Sequence, residues 1–104
     1  MPYAYTQDVP IDAGVHQKIM DRLGPVPLEG LIVHLVTVRP NGQLRYTDVW
    51  ESEAACTRAF EERIHPAVFG VFSDIGFRPD GEPETESLEV AYVGGSLGSA
   101  AQRA

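Results

Sequence analysis

GLIVHLVTVRPNGQLRYTDVWE, residues Gly30–Glu51, reads as two strands joined at Asn41-Gly42. The first of them is apolar on both faces: Leu31, Ile32, Val33, Leu35, Val36 and Val38 leave almost no polar alternation. A hairpin strand in an open antiparallel sheet usually has one wet face. A continuous apolar run therefore implies a cover on each side, and in so short a chain one cover is expected to be a second copy. Asn41-Gly42 suits a type I′ turn, because both residues tolerate positive φ. That turn sets Pro40 opposite Gln43, Val36 opposite Thr47 and His34 opposite Val49. One face then carries Ile32, His34, Val36 and Val38 with Arg45, Thr47, Val49 and Glu51. The other carries Leu31, Val33, Leu35 and Thr37 with Leu44, Tyr46, Asp48 and Trp50.

Working outward, Pro2–Val9 holds aromatic and β-branched residues and stops at Pro10, the pattern of a first strand. Asp12 is placed to cap a helix running to about Leu23, where Gly24-Pro25 ends it. Val15, Ile19 and Leu23 recur at helical spacing and give that helix one core-facing stripe. Gly24–Gly30 is a linker. After the hairpin, Ser52 caps a second helix with Cys56, Phe60 and Ile64 inward, and Pro66 is expected to break it, leaving a short further turn at Ala67–Val71. Ser73–Ser87 reads as a loop and Leu88–Val93 as a last strand. Residues 1–93 thus form one α+β domain, β-α-β-β-α-β, in the split βαβ, ferredoxin-like arrangement with an antiparallel sheet. Gly94–Ala104 is expected to be a small-residue tail.

Composition bounds the partners. The 104 residues carry 8 basic and 15 acidic side chains, a formal net charge of -7, with a single lysine. Nucleic acid and anionic membrane surfaces need clustered Lys and Arg, so neither is expected to bind. One cysteine, Cys56, allows no intrachain disulfide and fits a reducing compartment. No signal-peptide pattern or membrane-length apolar run is present, so a cytoplasmic protein is expected.

His34 is the one ionisable group within the apolar strand. Burial favours its neutral imidazole, which suits a general base or a donor to a bound carbonyl. Equally, it reads as a core histidine satisfied by a backbone carbonyl or by Thr47, since buried polar groups are normally bonded. Tyr46 and Thr47 are candidate donors, and Trp50 offers a flat wall to a planar ligand. The same aromatic residues also read as packing. His16, His34 and His65 lie far apart in sequence without HxxH, HExxH or CxxC spacing, so no metal is expected. Gly94-Gly95-Ser96-Leu97-Gly98 lacks the Lys-Ser/Thr of a phosphate loop, so no nucleotide is expected either.

The segment VTVRPNGQLRYTDVWESEAACTRAFEERIHPAV, Val36–Val68, resembles the small dimeric α+β-barrel proteins that include antibiotic-biosynthesis monooxygenases. The resemblance rests on the strand-turn-strand ending in Asp48-Val49-Trp50-Glu51-Ser52-Glu53 and running straight into a helix. It covers about Gly30–Val71; elsewhere only the element order agrees. It implies a homodimer whose sheets face each other, with a pocket between sheet and helices in each subunit. The implied activity is a cofactor-independent monooxygenase or isomerase acting on a small aromatic or polyketide-like molecule, with Asp48 and Trp50 in its site. A non-catalytic dimer binding a small apolar ligand, or an accessory subunit, is the other expectation. Haem-degrading relatives use a histidine and a tryptophan whose positions fall here on Phe69 and Ala59, so haem is not expected.

Overall fold

A computed structural model describes residues 1–94 of the chain; the tail anticipated at Gly94–Ala104 lies, Gly94 apart, outside the described residues. Four strands, β1 (Tyr3–Val9), β2 (Leu31–Val38), β3 (Leu44–Trp50) and β4 (Thr85–Leu88), form one antiparallel sheet in the order β2-β3-β1-β4. Helix α1 (Ala13–Leu23) links β1 to β2, and a longer helical run links β3 to β4. The molecule is therefore an α+β domain compatible with a ferredoxin-like arrangement.

Local chemistry accounts for the element ends. Asp12 caps α1, its carboxylate accepting from the Val15 amide at 2.9 Å, and Gly24, at φ 80°, ends it by donating to the Met20 carbonyl at 3.1 Å. Ser52 accepts from the Ala55 amide at 3.1 Å and starts the second run. That run does not stop at Pro66. It comprises α2 (Glu53–Ala59), one π-helical stretch (Phe60–Ile64) and α3 (His65–Ile75), so the break and short turn anticipated at Pro66 are corrected. The π stretch resets the hydrogen-bond register, and Pro66 sits in the first turn of α3, where its missing N–H is tolerated. The final strand is likewise corrected from Leu88–Val93 to Thr85–Leu88, where it pairs with Ala4–Gln7 of β1.

The hairpin register differs from the expected one by a single residue. Gly42 donates to the Arg39 carbonyl and Arg39 to the Gln43 carbonyl, both at 2.8 Å. Within the turn Gly42 alone has positive φ, 84°. This is a type I turn with Pro40 at its second position, followed by a left-handed glycine, rather than type I′. The extra loop residue moves His34 opposite Asp48 and Val36 opposite Tyr46, instead of Val49 and Thr47. Because side chains alternate, the one-residue change redistributes β3 between the two faces. A bulge between Leu31 and Val33 then returns Leu31 to the helix side, opposite Trp50.

Two apolar clusters lie between sheet and helices. Val9, Ile11, Ile19, Leu44 and Val71 make one; Tyr5, Trp50, Cys56 and Ala59 make the other. Gly30 fits between them because it has φ 85° and lies so close to α2 that a Cβ would stand 2.6 Å from that of Ala55. The opposite sheet face has no cover among the described residues: Val33 and Leu35 are 41% and 52% exposed.

Candidate functional site

The helix-facing side of the sheet gathers the polar residues that matter. Tyr46, Asp48 and Trp50 alternate along β3, Tyr5 stands opposite Asp48 on β1, and His34 stands opposite it on β2. Asp48 is 4% exposed, yet its carboxylate is not alone: Oδ1 lies 2.5 Å from His34 Nδ1. A carboxylate only accepts, so Nδ1 carries the proton and His34 is held with its basic lone pair on Nε2. That lone pair faces His16 Nε2 of α1 at 3.2 Å, and the His16 N–H donates to it. Tyr46 presses edge-on against both rings, at centroid distances of 4.9 Å and 5.6 Å.

Behind Asp48 the network continues into the core. The Trp50 indole N–H donates to the Tyr5 hydroxyl at 3.4 Å. Burial, and then the charge of Asp48, hold the Tyr5 and Tyr46 hydroxyls well above the usual phenol range, so both remain donors at any ordinary pH. Burial likewise raises the Cys56 thiol, which stays protonated as a small core side chain. His16 is shifted the other way: burial lowers its affinity for a proton, the neighbouring His34 adds to this, and the charge of Asp48 partly offsets it.

Part of this group borders a cavity of about 390 Å³ between the sheet and the helices, while Tyr5, His16 and Cys56 lie outside its lining. His34, Tyr46, Asp48 and Trp50 form its sheet side; Ile19, Met20 and Leu23 of α1 and Phe60, Ile64 and Phe72 of the second run form its apolar sides. Arg63 fixes the linker that bounds it, donating to the carbonyls of Leu23, Val26 and Pro27 at 2.8–3.1 Å. Across from the linker, the loop through Glu82 and Pro83 is held by His65 Nε2 at 3.3 Å from Glu82 Oε1 and by Gln7 donating to the Pro83 carbonyl at 3.2 Å. His65 is the first residue of α3.

Four of the five anticipated site residues meet at this cavity. Thr47 does not: it is on the opposite face, where its hydroxyl is 3.4 Å from that of Thr6, and this corrects its assignment as a pocket donor. The cause is the turn, which places Thr47 against Leu35 rather than Val36. Sequence reasoning missed His16 and did not single out Tyr5. His16 sits one position past Val15 and one turn before Met20, so the edge of the apolar stripe was the available signal. Among the described residues no group of three or more His, Cys, Asp or Glu side chains could hold a metal ion. No family model matches the chain, and no curated protein does either.

Proposed function

We propose that the chain works as a cytoplasmic homodimer of the dimeric α+β-barrel type, each subunit binding a small aromatic or polyketide-like molecule and acting on it without a cofactor. The observation that carries this reading is the His34–Asp48 pair set into the wall of a mostly apolar cavity. Asp48 fixes the tautomer and stabilises the imidazolium that forms when Nε2 takes a proton, as a base–carboxylate pair does in acid–base catalysis. A substrate hydroxyl or activated C–H reaches Nε2 by displacing His16, whose 3.2 Å bond is at the long end for a hydrogen bond. The Tyr46 hydroxyl, kept protonated by its surroundings, donates to the oxyanion left behind. A carbanion can pass its electron pair to dioxygen, forming a C–O bond to a peroxide that takes back the proton and loses water to leave a carbonyl, or it can be reprotonated at another carbon.

A second reading, a non-catalytic ligand-binding or accessory dimer, is favoured by one observation: both ring nitrogens of His34 already have protein partners. A panel of small aromatic ketones and phenols separates the two. Wild type is expected to bind and turn over at least one of them, and His34→Gln to retain binding while losing turnover. Binding without turnover by wild type selects the second reading. Unchanged turnover in a folded His34→Gln removes the base from the mechanism.

A further inference from the structure

The His16–His34 contact joins two elements that nothing else polar joins at that level among the described residues. His16 belongs to α1 and His34 to the edge strand β2. The C-terminal end of α1 is tied separately, by Arg22 to Asp74 of α3 at 2.8 Å and by Arg63 to the Leu23 carbonyl. The N-terminal half therefore depends on the histidine pair and on apolar packing. Two imidazoles meeting Nε2 to Nε2 at 3.2 Å need one proton between them. An extra proton on the pair can be accommodated as long as one ring keeps a lone pair toward the other. When both rings are cationic, two N–H groups face each other with no acceptor, and like charges are added.

We propose that His16 and His34 form an acid-sensitive clasp that holds the N-terminal half of α1 against the sheet and releases it when both imidazoles are protonated. Release loosens the wall of the cavity, because Ile19 and Met20 follow on the same helix. The clasp stands whether the cavity is catalytic or only binds.

The groups facing the pair are few. From β3, Asp48 engages the other nitrogen of His34 and Tyr46 lies edge-on to both rings. On α1 the Asp12 carboxylate is taken by the Val15 amide, and from α3 Asp74 is taken by Arg22. None of these sits between the two Nε2 atoms as a spare acceptor. The shift of His16 gives the sign. A histidine held below its ordinary value of 6.5 binds its proton more readily once α1 has opened. The closed state keeps its full advantage above pH 6.5 and loses it as pH falls from there toward the lowered value, by up to about tenfold per pH unit for one proton.

The test is hydrogen exchange of the α1 amides, corrected for intrinsic rate, in wild type and His16→Gln from about pH 8 to about pH 5. Glutamine keeps an N–H donor for His34 but cannot take a proton. Wild type is expected to lose protection in Ala13–Ile19 below pH 6.5 while α3 stays protected, and His16→Gln to show a flat profile. Identical profiles in the two proteins overturn the clasp. Should His16→Gln fail to fold, imidazole titration of wild type by NMR decides instead: coupled titration supports the clasp, and independent titration of the two rings overturns it. Entry of the neutral dye N-phenyl-1-naphthylamine should quicken at low pH in wild type alone. A protein that never binds the dye tells against the cavity reading, while exchange still decides the clasp.

Discussion

Asp48 shows how a single buried charge is made tolerable. An unpaired carboxylate at this depth would cost several kcal/mol, and the His34 N–H is what offsets it. Asp48→Ala is therefore expected to lower stability by about 3 kcal/mol, since it strands the Nδ1–H of His34 and removes its charge partner. In a domain of this size that is a fall in melting temperature of about 12–24 °C. His34→Ala should cost a comparable amount, because it leaves Asp48 without its donor. The double variant should cost less than the sum, with a coupling of about 1–3 kcal/mol measurable by urea unfolding. Strictly additive losses would mean that the two side chains do not share a bond in solution.

At the scale of elements, the turn after β2 decides which residues face the helices. Gly42 holds φ 84° with nothing near enough for a Cβ to strike, so Gly42→Ala meets only backbone strain, about 1–2 kcal/mol. Gly30 has the same backbone sign and in addition lies against Ala55. Gly30→Ala should therefore be the more damaging of the two by thermal denaturation, and Gly42→Asn the mildest, since asparagine tolerates the left-handed region. Equal losses at positions 30 and 42 would deny the close approach of the linker to α2. The Ser52 cap makes a smaller contribution: Ser52→Ala should cost about 1 kcal/mol by releasing the Ala55 amide.

For the molecule as a whole, the decisive surface is the sheet face turned away from the helices, uncovered among the described residues. Val33 and Leu35 stand half in solvent, with Val49 beside them on β3. If two copies close over this face, wild type should sediment as a dimer at micromolar concentration and bury more than about 1,000 Å² in total. Leu35→Glu should then give a folded monomer, because it places a charge in the middle of the contact without touching the cavity. A wild-type monomer under those conditions would remove the barrel-type dimer. Incubation with hemin should give no Soret band at one haem per subunit, since the resemblance read from the sequence would put the haem-serving positions at Ala59 and Phe69, neither of which can ligate iron.

What the chain's own residues determined is the element order and most of the caps. Apolar spacing marked the α1 stripe, Asp12 and Ser52 announced helix starts, and the apolar run Leu31–Val38 marked a strand. His34, alone among apolar neighbours, was recognisable as a group that must find a partner. Its partners were not recognisable, because local pattern does not fix register: Asn41-Gly42 is compatible with a two-residue or a three-residue loop, and only the closed hairpin chooses between them. That choice, one residue wide, brought Asp48 to His34 and sent Thr47 to the far face. Likewise Pro66 reads locally as a helix breaker, yet a π-helical stretch before it lets the run continue. His16 reached His34 only when α1 packed on the sheet, a contact between residues 18 apart that neither periodicity nor composition encodes.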